Sequence, residues 1–223
     1  KRLKLERIVN EKTNELLEEN KIKDALVQEI HHRVKNNLQS ITSLVEMQIF
    51  STQDEVEKRA LADIQLRISA MAIVHEMLYN SNDIGKVSAK KYLEELVNSI
   101  NEMSNTNKLP IEFKINVEDF NIGMSNCISF GLLTSEVISN SIKYAFKGVK
   151  NPSIELNFQL NKSEIIYTII DNGIGFNPDL VNEEESLGLR LIDIFAKQLN
   201  SQLEYVFDNG TMVKLIIPIK NLN

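Results

Sequence analysis

The chain has 223 residues, of which 43% are hydrophobic and 25% charged, with one cysteine. Its net charge of −6 argues against a nucleic-acid-binding surface, and a single cysteine excludes an internal disulfide framework. No apolar run approaches the ~20 residues of a membrane-spanning helix. We expect a cytoplasmic location. Because the chain begins at Lys1, inside a helical pattern, we also expect it to be part of a longer protein, which could carry a membrane anchor.

The first half of the chain is predicted to form two long helices joined by a turn at residues 51–54. Apolar residues recur at helical spacing in both, among them Val34, Leu38 and Val45 in the first helix, and Ile68 and Leu78 in the second. This pattern predicts an antiparallel hairpin, and two hairpins would form the four-helix bundle of a homodimer. The alternative is a hairpin that packs on the other domain of its own chain.

The second half of the chain alternates between strand-like and helix-like segments. Residues 81–85 are a candidate linker, and the pattern changes between residues 104 and 109. The predicted helices cover 88–103, 126–146 and 187–199, and the predicted strands cover 111–117, 153–160, 164–170, 203–207 and 212–219. We therefore expect an α+β fold: a helical hairpin followed by an α/β sandwich of mixed, largely antiparallel strands with helices on one face.

Two adjacent histidines occur in the first helix, within EIHHRVKNNL at residues 29–38. At 100° per residue, His32 lies about 200° from Ile30 and Val34, so it points away from the apolar stripe, and Asn36 shares its face. An outward-facing imidazole is a usable nucleophile near neutral pH. His31 and His75 fall at or on the apolar stripes and suit buried, hydrogen-bonded histidines. Adjacent histidines diverge by about 100°, which argues against a metal site here.

Helix 126–146 carries a polar stripe of Glu136, Asn140, Lys143 and Lys147. A carboxylate, an amide and ammonium groups in a row could hold Mg²⁺ and meet phosphate. The alternative is an ordinary solvated face, although asparagine is a poor choice in the middle of a helix.

Two glycine-containing segments follow. In DNGIG, Asp171 ends a β-branched strand and is followed by Gly173 and Gly175, which could let the backbone approach an adenine ring; a tight turn is the alternative. Gly188 opens the last helix, whose N–H groups could hold an anion, or it could simply lie near a helix start. The polar residues 176–186 between these segments are a candidate lid.

The order and spacing of these segments resemble a known family. Residues 136–144, 171–175 and 187–191 look like the N, G1 and G2 boxes of the GHKL (Bergerat) ATP-binding fold. HHRVKNNLQ and RISAMAIVHEMLY resemble the dimerisation and phosphoacceptor domain of sensor histidine kinases with an HRxxN signature. The resemblance covers about residues 26–219. It implies a coiled-coil signalling helix from an upstream sensor domain (1–25), a dimerisation and histidine phosphotransfer domain (26–85) and a catalytic ATP-binding domain (86–223).

The resemblance also implies individual roles. His32 matches the phosphorylated histidine, Asn36 the signature asparagine, Glu136 the acid that can serve as base, and Asn140 the Mg²⁺ ligand. The remaining matches are to positions around the bound ATP: Lys143, Tyr144, Asp171, Gly173, Gly175, Gly188, Leu189 and Thr211.

This sequence departs from the family pattern at two positions. Ser135 replaces an asparagine that many members have before the N-box glutamate, and Arg33 occupies the place where well-known members carry an acid. The proton acceptor for His32 must therefore be a residue other than its immediate neighbour in the chain. Glu136 is our first candidate, and Glu29, three residues before His32, is the second.

The function implied by the resemblance is ATP- and Mg²⁺-dependent autophosphorylation of His32, followed by phosphoryl transfer to an aspartate of a response-regulator receiver domain. Two other functions are each compatible with only part of these motifs. A GHKL ATPase or serine kinase would use the nucleotide boxes alone, and a non-enzymatic phosphotransfer scaffold would carry a decayed ATP domain. Label transfer from ATP and nucleotide binding discriminate among them.

Overall fold

The computed structural model describes residues 2–80, 86–104, 110–161, 163–175, 187–207 and 209–219. The predicted linker at 81–85, the candidate lid at 176–186 and most of the change of pattern at 104–109 lie outside the described residues. Among the described residues, no helix is long and apolar enough to cross a membrane.

The first half of the chain is an antiparallel helical hairpin. Helix α1 spans Arg2–Ser51 and α2 spans Glu55–Asn80, so the predicted turn at residues 51–54 is confirmed. Asp54 Oδ1 accepts the backbone N–H of Val56 at 2.8 Å, which caps the start of α2. Side-chain contacts between the helices continue from Gln65–Glu46 near the turn to Lys35–Glu76 further along.

Helix α1 has two apolar faces rather than one. Val34, Leu38 and Val45 are half-buried along the hairpin, whereas a second set remains exposed in the single chain. The exposed fractions of that set are 60% for Leu26, 58% for Ile30, 45% for Ile41 and 62% for Leu44. One hairpin therefore leaves an apolar face on α1, interrupted by Arg33 and Asn37, in contact with solvent.

The second half is an α/β unit. Its elements are β1 (Lys86–Ser88), α3 (Ala89–Ser104), β2 (Glu112–Val117), β3 (Asn121–Gly123), α4 (Met124–Asn140), a π-helical turn (Ser141–Ala145), β4 (Ser153–Leu160), β5 (Glu164–Asp171), α5 (Leu187–Gln198), β6 (Gln202–Phe207) and β7 (Thr211–Pro218). The main sheet has the order β2-β4-β5-β7-β6, in which only β2 and β4 are parallel. Alternate residues of β4, β5 and β7 are buried, as expected for a sheet covered by helices on one face.

The predicted α+β architecture is confirmed, with two corrections of detail. The short strands β1 and β3, which pair with each other, were not predicted, because three residues give no usable alternation. The helix predicted at 126–146 begins at Met124, and from Ser141 its hydrogen bonding widens into the π-helical turn. Such turns occur often at functional sites.

The hairpin and the α/β unit share a core. Ala70, Val74 and Leu78 of α2 are buried in the same cluster as Tyr92 of α3. The Tyr92 hydroxyl donates to the Ala70 carbonyl at 3.1 Å, and Gly131 of α4 leaves the space that this hydroxyl occupies. The domain boundary at residue 85 stays a prediction, but the C-terminal half of α2 packs into the second core.

Candidate active site

A cavity of about 470 Å³ lies among the end of α4, the π-helical turn, α5 and the ends of β5, β6 and β7. Six of the residues predicted to bind nucleotide line it: Asn140, Tyr144, Asp171, Gly175, Leu189 and Thr211. The other lining residues are Val137, Ser141, Ala145, Ile174, Ile192, Tyr205 and Val213. The fold therefore gathers residues from separate segments between Val137 and Val213 around one largely apolar space, as ligand sites generally require.

Asp171 is the most strongly fixed polar group in this cavity. It ends β5 and is 4% exposed. Its Oδ1 accepts the backbone N–H groups of Gly173 at 2.9 Å and Thr211 at 3.2 Å, and its Oδ2 accepts the Ser141 hydroxyl at 2.8 Å. A carboxylate offers about four acceptor positions, so three donors leave capacity for another.

Thr211 lies next to Asp171 across the β5–β7 pair and is 8% exposed. Its hydroxyl Oγ1 is buried and has no hydrogen-bond partner within the described part of the chain. A buried polar group without a partner is costly in a native protein, and this one lines the cavity. It therefore marks a place where a ligand could donate or accept a hydrogen bond.

Two glycines bring backbone segments close together beside Asp171. A Cβ on Gly173 would overlap Ala145, whose carbonyl accepts the N–H of Ile174 at 2.9 Å. Gly210 has φ +133°, and a Cβ there would overlap the Asp171 carbonyl oxygen. Gly173 was predicted for the site, whereas Gly210 was not; the Asn-Gly pair at 209–210 was the available signal.

The predicted metal ligand and acid lie side by side on α4. Gly188 lies in the first turn of α5, close to both side chains. A Cβ added to Gly188 would lie 3.3 Å from Glu136 Oε2 and 3.4 Å from Asn140 Oδ1. Carboxylate and amide oxygens therefore converge at the start of α5, where Gly188 has no side chain. This donor set suits Mg²⁺, which prefers oxygen ligands.

Two residues of the hairpin contact the predicted site and were missed by sequence reasoning. Arg67 of α2 forms an ion pair with Glu136, which is 5% exposed. Asp63 of α2 pairs with Lys143 and accepts the Ser139 hydroxyl at 2.9 Å. These contacts join positions 69 to 80 residues apart. Arg67 begins the family-like segment RISAMAIVHEMLY, but neither it nor Asp63 carries a local signal for contact with the second domain.

The histidines of the hairpin are oriented as helix phase predicts. His31 is 8% exposed, whereas His32 is exposed, with Asn36 Nδ2 3.5 Å from its Nδ1. His75 is also buried, and its partner is His31, with 3.1 Å between their Nδ1 atoms. Burial lowers the pKa of both His31 and His75, because a charged imidazole loses solvation there.

Both candidate bases for His32 are engaged by arginines. Glu29 Oε1 accepts Arg33 Nε at 2.7 Å, and Glu136 pairs with Arg67. Ser135, which departs from the family pattern, donates to the Gly131 carbonyl of its own helix at 2.8 Å. In this arrangement, therefore, the Ser135 hydroxyl is used within α4.

A helical hairpin with an outward histidine, followed by an α/β unit with this cavity, is the arrangement that the resemblance to histidine kinases implies. Residues 29–104 match the family model HisKA_2, described as histidine kinase. Sensor histidine kinase PdtaS of Mycobacterium tuberculosis is 27% identical over 203 residues, which cover 88% of this chain and 40% of that protein. Blue-light-activated histidine kinase 2 of Erythrobacter litoralis is 26% identical over 207 residues, covering 88% and 58%. The family model and these relatives support a sensor histidine kinase catalytic core.

Solved structures agree on the fold. The histidine kinase domain of the Erythrobacter litoralis EL346 blue-light activated histidine kinase superposes with a TM-score of 0.60 at 23% identity, covering 88% of this chain and 92% of that one. A longer EL346 structure gives 0.65 at 18% identity, covering 85% and 60%. The chain spans about 40% of the length of the PdtaS relatives.

Proposed function

We propose that this chain transfers the γ-phosphoryl group of ATP to its own His32 and then passes it to an aspartate on a response-regulator receiver domain. The observation that carries the proposal is that one chain combines an exposed histidine in HRVKN with a cavity built around Asp171 and the unpartnered Thr211 hydroxyl. Because ATP is the donor, we place the reaction in the cytoplasm.

The base of the nucleotide would lie at the Asp171 end of the cavity. Three donors hold this carboxylate in position, and its remaining acceptor capacity suits the exocyclic amine of adenine. The Thr211 hydroxyl would gain its missing partner from the base or from a water between them. The apolar side chains of Val137, Ile174 and Ile192 would cover the ring faces.

The phosphates would lie toward the start of α5. Asn140 and Glu136 would hold Mg²⁺ there, and the metal would neutralise charge on the transferring phosphoryl group. Backbone N–H groups around Gly188 and Leu189 begin a helix and suit an anion. Lys143 and Tyr144 lie one turn beyond Asn140, and the pairing of Lys143 with Asp63 would have to open before Lys143 could reach a phosphate.

His32 would act through Nε2. In the structure the amide nitrogen of Asn36 lies 3.5 Å from Nδ1. Rotation of this amide by 180° would place its oxygen there, where it would accept a hydrogen bond from Nδ1–H and favour the tautomer with the lone pair on Nε2. Nε2 would form the bond to phosphorus as the bond to the β–γ bridging oxygen breaks and ADP leaves. The imidazolium that results loses its Nδ1 proton to a base, for which Glu136 and then Glu29 stay our candidates.

The α/β unit would have to move before this reaction. Arg67, which pairs with Glu136, lies eight residues before His75 in α2. Because His75 contacts His31, it lies at about the same height along the hairpin as His31 and His32. Eight residues correspond to about 12 Å along a helix. Release of the Arg67–Glu136 contact and a shift of roughly this size would bring the cavity toward His32.

We also propose a homodimer and an upstream sensor domain. The exposed apolar face of α1, with Leu26, Ile30, Ile41 and Leu44, is the surface that a second hairpin would cover in a four-helix bundle. Residues 1–25 would then carry changes in helix register from the sensor.

The test is incubation with γ-labelled ATP and Mg²⁺, followed by acid and base treatment and mapping of the labelled peptide. We expect an acid-labile, base-stable label on His32 that His32→Gln removes while nucleotide binding persists. The label should then pass to a receiver domain but not to one that lacks its acceptor aspartate. Label on His31 would show that the wrong histidine was chosen. ATP hydrolysis without label would favour the ATPase alternative, and an absence of nucleotide binding would favour the scaffold.

A further inference from the structure

We propose that the buried His31–His75 pair positions the phosphoacceptor: His31 and His75 set the rotation of α1 and thereby the direction of His32. This inference rests on the proposed phosphorylation of His32 but concerns two residues with no chemical part in that reaction. Both are positioning residues, since neither side chain is directed to the outer face that carries His32.

The contact is specific and sheltered from water. The Nδ1 atoms lie 3.1 Å apart, the ring centroids lie 5.3 Å apart, and the rings are tilted by 50°. The two residues are 8% and 9% exposed. Such a hydrogen bond needs one ring to donate and the other to accept, so two neutral imidazoles of opposite tautomer satisfy it.

Because His31 and His32 are consecutive residues of α1, the His31–His75 contact also constrains the direction in which His32 points. Successive residues are separated by 100°, so fixing His31 against α2 fixes the direction of His32. The imidazole of His32 lies roughly 6 Å from the helix axis, and a rotation of about 20° would displace it by about 2 Å. Displacements of about 1 Å can reduce a positioned reaction by ~100-fold.

The other contacts at this level provide weaker control. Val34 and Leu38 are half-buried on the same helix, but apolar packing is non-directional and tolerates small rotations. Lys35 Nζ and Glu76 Oε1 form an ion pair at 2.5 Å one turn from the histidines, with side chains 32% and 48% exposed. Exposed pairs contribute little, so Lys35 provides a matched control at the same level of the hairpin.

The experiment compares His75→Leu, His75→Asn and Lys35→Met in the whole chain. Asparagine places its amide where Nδ1 of histidine lies and can keep the hydrogen bond, whereas leucine cannot. The measurements are kcat and KM for ATP in His32 phosphorylation, together with the thermal unfolding midpoint. Phosphoramidate, a small phosphoryl donor that needs no ATP domain, measures the intrinsic reactivity of His32.

We expect His75→Leu to reduce kcat roughly 10- to 100-fold, while KM for ATP changes less than about twofold. His75→Asn should recover most of kcat, Lys35→Met should resemble the wild type, and phosphoramidate should label His32 equally in all. Equal losses in His75→Leu and His75→Asn that follow their unfolding midpoints would overturn the inference, and so would wild-type kcat in His75→Leu.

A double variant, His31→Leu/His75→Leu, covers the case in which the single leucine variant fails to fold. Replacing both partners by apolar groups leaves no buried polar group unsatisfied, so this variant should fold. Reduced kcat in it supports the inference, and wild-type kcat overturns it. Failure of the proposed function is a separate result, because the wild type itself would then carry no ATP-derived label on His32.

Discussion

Arg67 of α2 and Glu136 of α4 form a partly buried ion pair that joins the helical hairpin to the acid of the candidate active site. Their side chains are 22% and 7% exposed, so water screens the pair only weakly. Asp63 and Lys143 form a second pair beside it. The structure therefore holds two site residues against α2.

Removing the first of these contacts should increase autophosphorylation. In Arg67→Ala, Glu136 would keep a nearly buried charge without a partner, which favours release of the α/β unit into water. We expect an initial rate roughly tenfold higher, close to the lower end of the ~1.5–3 kcal/mol that a hydrogen bond to a charged group contributes. Arg67→Lys retains the charge and is the matched control. An unchanged rate in Arg67→Ala, or an equal rise in Arg67→Lys, would show that the ion pair does not restrain the unit.

Asp171→Asn should strongly weaken nucleotide binding while preserving the fold. The amide can keep its oxygen toward the N–H groups of Gly173 and Thr211 and turn its NH2 toward Ser141, whose hydroxyl can accept this bond and donate to the Val137 carbonyl. The fold is then preserved, but the acceptor for the adenine amine is replaced by a donor. We expect an affinity loss of ~100-fold or more, measured by titration with a fluorescent ATP analogue. Glu164→Gln, at the opposite end of β5, is the control and should bind normally. Normal binding by Asp171→Asn would remove Asp171 from the site.

Thr211→Val should have opposite effects on stability and on binding. In the ligand-free protein it replaces a buried, unpartnered hydroxyl by a methyl group of similar size, so we expect the free energy of unfolding to stay level or rise by about 1 kcal/mol. Nucleotide affinity should fall, because the hydroxyl would gain its partner in the complex. Thr211→Ser should keep the affinity. Parallel changes in stability and affinity in Thr211→Val would contradict this account.

Gly173→Ala should weaken both the fold and nucleotide binding. The added Cβ would overlap Ala145 and push the segment after β5 away from the π-helical turn, at a cost of about 1–3 kcal/mol in free energy of unfolding. Gly148→Ala is a useful comparison: its φ is +81°, but nothing lies within 4 Å of the added atom. It should cost about 1–2 kcal/mol through backbone strain alone and leave nucleotide binding unchanged. Urea unfolding and nucleotide titration check both variants.

Acid should destabilise the hairpin through His31 and His75. Burial lowers the pKa of both histidines, so the unfolded chain takes up protons below about pH 6.5 that the folded chain does not. Their contribution is complete above that pH and declines as the pH falls toward the folded values, by up to about 1.4 kcal/mol per pH unit for each histidine. The comparison is between the wild type and the double variant His31→Leu/His75→Leu. The nearby Lys35–Glu76 ion pair is present in both proteins, so its own pH dependence cancels. Urea unfolding at pH 7.5, 6.5 and 5.5 should show that the free energy of unfolding falls more steeply with falling pH in the wild type than in the double variant. The same pH dependence in both proteins would contradict this prediction.

Local patterns in the sequence predict much of the architecture. Period-two alternation located β4 and β5 to within one residue, and helical spacing with the residue 51–54 turn located the hairpin. Helix phase also separated His31 from His32, because a 100° step between neighbours depends only on helix geometry. The ranges of β1 and β3 were missed, since such short strands exist only through their pairing with each other.

Six of the thirteen residues that line the cavity were among those expected to bind nucleotide, but the groups that hold them in place were not predicted. The order of the motifs predicted Asp171, Gly173 and Thr211 as site residues. The Ser141 hydroxyl, which donates to Asp171, lies 30 residues away in the chain, and no sequence pattern identifies it. The partnership of His31 with His75 spans 44 residues, and that of Arg67 with Glu136 spans 69. Each depends on how the helices pack, which side-chain periodicity constrains only to a face.

The sequence by itself determined the helical hairpin, the strand-and-helix content of the α/β unit and the side of α1 on which His32 lies, because these follow from local spacing and backbone geometry. Only the tertiary structure decided that α2 enters the second core, that Glu136 and Lys143 contact α2 and that Thr211 has a buried hydroxyl beside Asp171. Those features arise from ion pairs, hydrogen bonds and close packing between distant segments, and their energies exist only when the chain is folded.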